Sequence, residues 1–168
     1  MIDFHTHPVL IQEFVRKYPN YERVAREVFK IGNTFQPLET FFLQMDAAGI
    51  ERAVLLPIDC ERVRKDAVSS NEQVAELCGL SKRFIGFASV DPLKKSAPRE
   101  LEQAVKKLGL KGLKLDPALQ DFRPNASKTF AVYEAAAALK IPVLLHTGMS
   151  WAPGTPLERG QPLLDEYL

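Results

Sequence analysis

The sequence has only two cysteines, Cys60 and Cys78, among its 168 residues. They do not form a Cys-x-x-Cys pair, and two cysteines are too few for the disulfide framework of a small secreted domain. We therefore interpret both thiols as small buried hydrophobic groups and predict a reduced, cytoplasmic protein.

The chain also lacks an excess of charge of either sign, because 22 Lys and Arg residues balance 21 Asp and Glu residues. A net charge of +1 without any Lys- or Arg-rich block gives no field that would attract nucleic acid or an anionic membrane. No basic segment precedes an apolar stretch at the N-terminus, so we expect no signal peptide. The longest apolar runs, such as "RAVLLPI" and "PVLLH", are too short to cross a bilayer.

What the sequence does contain is a regular alternation of short apolar runs and helical patterns. The runs are almost continuously apolar, which is typical of strands that are covered on both faces in a parallel sheet. They occupy residues 2–7, 52–58, 84–90, 112–116 and 142–148. Helical patterns with Ser, Asn or Pro near their starts separate these runs, and several end at a glycine. This order predicts an α/β fold of parallel strands with right-handed crossovers.

The length fits a single domain, 1–168. Residues 11–36 depart from the alternation, since this segment is long, charged and aromatic. We predict that it forms helices inserted between the first strand and its crossover helix. At that place the segment would lie near the mouth of a site, where a lid and a purely structural cap are both open interpretations.

Two of the three histidines, His5 and His7, lie two residues apart in the first run. Side chains two apart on a strand point the same way, so we expect these two imidazoles to lie together, with Phe4 and Thr6 facing away. His146 closes the fifth run, and the carboxyl ends of parallel strands meet at one edge. Neutral imidazole nitrogens are common zinc ligands, so we predict a metal site formed by His5, His7 and His146.

The fourth run, "GLKLD", places a lysine where a buried apolar side chain is expected. Lys114 alternates with Leu113 and Leu115, so it would point into a barrel interior together with Gly112 and Asp116. A buried ammonium is costly unless it is paired, modified or functional. A lysine that extends its charged end to the rim is the structural alternative.

The segments "DFHTHP", "GLKLDP" and "PVLLHTG", in this order and spacing, resemble the amidohydrolase superfamily. The branch with the greatest similarity includes the aminocarboxymuconate-semialdehyde decarboxylases. The resemblance implies a (β/α)8 TIM-barrel fold with a divalent metal, zinc or manganese, at the carboxyl ends of the strands, held in part by His5, His7 and His146. It also implies a sixth-strand histidine and an eighth-strand aspartate, which have no match in this sequence. We therefore expect about the first five βα units of a barrel, with a homo-oligomer as one way to cover the open edge.

The resemblance implies a metal-dependent hydrolase that acts on a small organic substrate through a metal-activated water. Non-oxidative decarboxylation or hydration at the same site is the first alternative, and a non-catalytic half-barrel or assembly module is the second. Lys114 would be carboxylated to bridge two metals, or would stay cationic and bind a substrate carboxylate. Asp116 is the nearest candidate for a general base. Trp151 and Arg159 are candidate substrate-binding residues, and we expect the 168-residue chain alone to show little turnover.

Overall fold

The computed structural model of the protein describes residues 1–9, 11–28, 30–148, 150, 152 and 154–161. Five strands lie at the predicted places: β1 (Ile2–Thr6), β2 (Arg52–Leu55), β3 (Phe84–Gly86), β4 (Leu113–Leu115) and β5 (Val143–Leu145). Each is shorter than its apolar run, because the last residues of every run belong to the loop that follows.

All strand pairs are parallel, as predicted. β1, β2 and β3 pair in that order, and β4 pairs with β5. A bridge between Ala88 and Leu113 joins the two groups, with the Lys114 N–H donating to the Ala88 carbonyl at 2.7 Å. The strands therefore follow one another in chain order, which is the arrangement of a TIM barrel.

Helices connect the strands. They are α1 (Gln12–Lys17), α2 (Asn20–Arg23), α3 (Leu38–Ala47), α4 (Glu61–Arg64), α5 (Asn71–Leu80), α6 (Ala97–Lys106), α7 (Pro117–Gln120) and α8 (Phe130–Ala138). A π-helix spans Val24–Val28, and short 3₁₀ helices span Ser127–Thr129 and Leu157–Gly160. Helix α5 begins at the Ser70 capping box with Gln73 that its sequence favours. No helix in the described part of the chain is both long and apolar enough to cross a membrane.

The apolar side chains of the sheet form two clusters, one on each face of the sheet. Ala53, Leu55, Leu113 and Leu115 pack in the large cluster with the helices. The alternate positions form a small second cluster on the opposite, inner face: Val54, Leu56 and Phe87, with Ile85 and Leu144 packed against them. Lys114 pairs in register with Leu144 and is fully buried, so it belongs to the inner face as the alternation predicts.

Gly112 sits on this inner face opposite Phe87. A Cβ atom at residue 112 would lie 2.4 Å from the Phe87 ring, so only glycine leaves room for that aromatic side chain. The Phe87 ring in turn packs edge-on against Phe4, with 5.6 Å between ring centroids. Phe4 therefore contacts the inner cluster, and the expectation that it faces away with Thr6 is wrong.

The reason lies in a break of the strand alternation in β1. Asp3 pairs with Ala53 and Thr6 pairs with Leu55, so three steps on β1 match two on β2. The Asp3 side chain stabilises this register shift, since its carboxylate accepts from the His5 N–H at 3.0 Å and from the Thr6 hydroxyl at 3.2 Å. A bulge of this kind redirects the side chains that follow it.

Candidate active site

The three histidines lie together at the carboxyl ends of β1 and β5. The Nε2 atoms of His5 and His7 are 3.2 Å apart, and the ring centroids of His5 and His146 are 6.5 Å apart. Two nitrogens bound to one tetrahedral zinc at 2.0–2.1 Å lie about 3.3 Å from each other. The spacing of the His5 and His7 nitrogens therefore suits two ligands of one metal ion.

The tautomer of His7 is set by the backbone. Its Nδ1 lies 2.8 Å from the Leu56 carbonyl oxygen, which can only accept, so Nδ1 carries the proton and Nε2 keeps a free electron pair. A backbone carbonyl that fixes the second ring nitrogen is the usual support of a metal-bound histidine. Sequence patterns give no signal for this contact, because any residue at 56 supplies the same carbonyl.

Both histidines of the pair are electrically neutral at pH 7. Burial, followed by the charges of Lys114 and His146, lowers the pKa of His5 below its ordinary value. Burial lowers the pKa of His7 to about 3, although the Leu56 carbonyl opposes the shift. Only the neutral ring can bind a metal, so this environment favours coordination over protonation.

His146 completes the cluster from β5. Its backbone N–H donates to the Leu115 carbonyl at 2.9 Å, and its Nδ1 lies 3.8 Å from an Asp116 carboxylate oxygen. Its Nε2 is buried and has no hydrogen-bond partner among the described residues. In that same part of the chain, no group of three or more His, Cys, Asp or Glu side chains is already arranged to hold a metal ion. His5 and His7 thus stand as a pair, with His146 beside them.

Lys114 lies under the histidines on the inner face. Its side chain is fully buried, and its Nζ has no hydrogen-bond partner within the described ranges. Burial lowers the pKa of Lys114 to about 8, and the Asp116 carboxylate opposes this shift. An ammonium in this position has lost its water without gaining a partner in the protein, so an anionic group would stabilise it.

Asp116 follows β4 and is also buried. One carboxylate oxygen accepts from the N–H groups of Ala118 and Leu119, so the side chain caps helix α7. The other oxygen is the one that approaches His146. One side of the carboxylate is therefore engaged in the helix cap, while the other lies beside His146 at 3.8 Å, beyond direct hydrogen-bond distance.

A buried glutamine, Gln120, fixes the loop that carries Asp116. Its Oε1 accepts from the Asp116 N–H at 2.8 Å, and its Nε2 donates to the carbonyls of Asp59 and Val90 at 2.8 and 2.9 Å. It therefore joins the loops after β2, β3 and β4. Sequence analysis missed Gln120, since a single glutamine in a helical turn carries no pattern that distinguishes it.

Of the two candidate substrate-binding residues, the structure describes only Arg159. The Arg159 Nε donates to the Asp121 carboxylate at 3.1 Å, so the structure places this guanidinium in an ion pair beside helix α7. Trp151 lies outside the described residues.

A cavity of about 420 Å³ adjoins the histidines on the side of residues 11–36. His7 forms part of its wall, together with residues from the end of that segment and from helix α3. The volume lies in the range typical of small-molecule pockets. Helices α1 and α2 and the π-helix account for much of residues 11–28, whereas the residues of this segment that line the cavity, Ile11, Asn33, Thr34 and Gln36, lie outside those helices.

A matched substitution separates the two contacts of Asp116. Asp116→Asn keeps an oxygen for the helix cap but removes the negative charge near His146. We expect the free energy of unfolding to change by less than about 1 kcal/mol and the affinity for zinc or manganese to fall by roughly 10-fold or more. Chemical denaturation and calorimetric metal titration measure the two effects. An unchanged metal affinity would show that Asp116 does not support His146.

Comparison with known proteins shows the family to which the chain belongs. A family model for amidohydrolases matches residues 2–168, so the chain belongs to the amidohydrolase family, a family of enzymes that are generally metal-dependent.

Solved structures show the same fold. An uncharacterized TIM-barrel protein from Bordetella bronchiseptica matches with a TM-score of 0.66 and 22% identity over 95% of this chain and 58% of its own. A 5-carboxyvanillate decarboxylase from Novosphingobium aromaticivorans, solved with manganese and 3-methoxy-4-hydroxy-5-nitrobenzoic acid, matches with a TM-score of 0.65 and 20% identity over 98% of this chain and 54% of its own. A 5-carboxyvanillate decarboxylase from Sphingomonas paucimobilis matches with a TM-score of 0.61 and 22% identity over 90% and 53%.

The chain thus spans little more than half of the length of these three proteins. Its five parallel strands and their helices form part of a TIM barrel, as the sequence predicts.

Proposed function

We propose that this chain carries part of the active site of a divalent-metal-dependent enzyme that removes the carboxylate of a small aromatic acid as carbon dioxide. The observation that supports it best is the pairing of two features: three histidines gathered at one edge of the sheet and, beside them on the inner face, the buried Lys114 ammonium, which has no hydrogen-bond partner among the described residues. The first suits a metal ion, and the second suits the carboxylate of a substrate.

His5, His7 and His146 are the residues that would hold the metal. Their donor chemistry fits zinc and manganese, because all three offer imidazole nitrogens, and the Leu56 carbonyl fixes the tautomer of His7 in which Nε2 carries no proton. A small movement of His146 would bring its unpartnered Nε2 into the set. A divalent ion in this place supplies positive charge that polarises a carboxylate or a ring oxygen, or a water.

Lys114 would bind the carboxylate of the substrate through its ammonium group. A pKa of about 8 leaves most of this group charged at pH 7, so it can form an ion pair with a carboxylate. In the reaction, the bond between the ring carbon and the carboxylate breaks, carbon dioxide leaves, and the ring carbon takes up a proton. The second use of Lys114, as a carboxylated ligand between two metals, would replace this ion pair with a carbamate.

Decarboxylation is favoured over hydrolysis by two observations. One oxygen of the Asp116 carboxylate is occupied by the cap of helix α7, which leaves this side chain less suited to activate a water. Two of the structures with the same fold are decarboxylases, one of them solved with manganese. Hydrolysis through a metal-activated water is the second candidate, and the amidohydrolase family to which the chain belongs favours it.

A product assay tests the proposal. The protein is loaded with manganese or zinc and incubated with hydroxybenzoates labelled with ¹³C in the carboxyl group, and with lactones and amides in parallel. Because the chain supplies only part of the barrel, we expect slow release of labelled carbon dioxide that disappears in the His5→Ala variant. Cleavage of lactones or amides alone would favour hydrolysis. If the protein binds metal but converts neither panel, the proposed function is wrong and the non-catalytic alternative gains support.

A further inference from the structure

The cavity beside His7 has a wall of unusual composition. Four of its side chains are uncharged hydrogen-bonding groups, those of Asn33, Thr34, Gln36 and Gln44. The remaining lining residues are His7 itself, the ring of Phe41 and two apolar residues, so within the described part of the chain no Asp, Glu, Lys or Arg side chain lines the cavity.

The hydrogen-bonding groups in this wall are available to a ligand. Among the described residues, the side chains of Asn33, Thr34 and Gln44 make no hydrogen bond to protein. The Gln36 amide makes only a long contact of 3.3 Å to the Thr34 carbonyl. An amide can donate and accept, so these groups match a hydroxyl or carbonyl group equally well.

The wall is held in place by the backbone around it. The Gln12 N–H donates to the Gln36 carbonyl at 2.8 Å, and Glu13 accepts from the Leu38 N–H at 2.9 Å. The Arg26 guanidinium donates to the Ile31 and Asn33 carbonyls at 2.6 and 2.9 Å. The segment is therefore fixed at several points, and a ligand would meet a preformed surface.

From these observations we propose that the cavity formed by His7, Phe41 and the four amide and hydroxyl side chains binds the uncharged, hydrogen-bonding end of a planar ring substrate, such as a phenolic hydroxyl group. The inference rests on the proposed function in one respect only, since that function places the carboxylate of the same substrate at Lys114. A second charged group at the far end is disfavoured, because the wall offers no opposite charge for it.

The experiment uses phenol as a probe that needs neither metal nor carboxylate. Phenol is titrated into the ¹⁵N-labelled, metal-free protein, and the side-chain amide signals are followed by NMR; the variants Asn33→Leu and Gln44→Met assign these signals by their loss. We expect phenol to shift the Asn33 and Gln44 signals. The double variant should bind phenol about 3- to 10-fold more weakly, the usual effect of lost hydrogen bonds. Gln103→Met, on the exposed face of helix α6, is the matched control and should change nothing.

Two results would overturn the inference: amide signals that phenol does not shift, or a double variant that binds phenol as the unchanged protein does. If only the proposed function is wrong, the binding results differ from both of these. In that case phenol still shifts the amide signals, while 3-hydroxybenzoate binds no more tightly than phenol and Lys114→Met has no effect on its binding. If both proposals hold, 3-hydroxybenzoate binds more tightly than phenol, and isophthalate, with its second carboxylate, binds more weakly than 3-hydroxybenzoate.

Discussion

Replacing Lys114 with methionine is expected to raise the free energy of unfolding by about 2–3 kcal/mol at pH 7. Burial lowers the pKa of this lysine from its ordinary value of 10.5 to about 8. A difference of that size corresponds to a free-energy cost of about 3 kcal/mol for keeping the charged ammonium in the folded protein rather than in water. Methionine has a similar length and no charge, so the variant removes the cost without leaving a cavity. Most core substitutions destabilise a protein, which makes a gain at this position informative.

The gain should depend on pH in a defined way. The pKa of Lys114 is lower in the folded than in the unfolded chain, so between about pH 8 and 10.5 the unfolded chain binds more protons, and the unchanged protein becomes more stable as pH rises. The advantage of Lys114→Met is therefore complete below pH 8 and disappears by pH 10.5. Denaturation at pH 7 and pH 10 measures both values.

Lys111→Met serves as the control, because Lys111 is exposed and should change stability by less than about 0.5 kcal/mol at either pH. A loss of stability in Lys114→Met at pH 7 would mean that the ammonium has a structural partner. A gain in stability with unchanged binding of benzoate would leave the lysine buried but without the role that we propose for it.

The second large effect concerns the metal. His5→Ala and His7→Ala are each expected to lower the affinity for zinc or manganese by at least about 100-fold, since removal of even a supporting residue costs 10- to 100-fold. The two Nε2 atoms lie 3.2 Å apart, so the loss of either leaves the other without its nearest donor. Calorimetric titration of the metal into each variant gives the affinities.

His146→Ala should weaken binding as well, because its Nε2 has no hydrogen-bond partner among the described residues and its ring centroid lies 6.5 Å from that of His5. The matched variant is His5→Gln, which keeps a polar side chain but lacks an imidazole nitrogen. It shows whether metal binding needs the imidazole itself. Equal metal affinities in the unchanged protein and in all three alanine variants would place the metal elsewhere or exclude it.

Much of the fold could be predicted from the sequence because the strands are buried on both faces. Continuous apolar runs such as "RAVLLPI" identify such strands directly, and the lysine in "GLKLD" stands out for the same reason. The alternation of side chains correctly placed Lys114 on the inner face. The sequence also predicted that the three histidines lie in one region, since they stand at strand ends and parallel strands end at one edge of the sheet. The rings of His5, His7 and His146 do lie together.

The detail of the site could not be predicted, because it depends on contacts that have no sequence pattern. The irregularity in β1 lies between Asp3 and Thr6, so Phe4 and Thr6 do not share a face as regular alternation would require, and Phe4 packs against Phe87. The Leu56 carbonyl fixes His7 through its backbone, whatever the side chain is. Gln120 reaches three loops that are distant in the chain.

We propose that His5, His7 and His146, at the ends of β1 and β5, bind one divalent metal ion, and X-ray absorption spectroscopy of the zinc-loaded protein measures the ligands of that ion. We expect a zinc ion with three imidazole ligands at about 2.0–2.1 Å. We also expect two imidazoles in the His146→Ala variant and no ordered imidazole shell in the His5→Ala, His7→Ala double variant. A zinc shell of oxygen or sulfur atoms, or an imidazole count that the variants leave unchanged, would contradict this proposal.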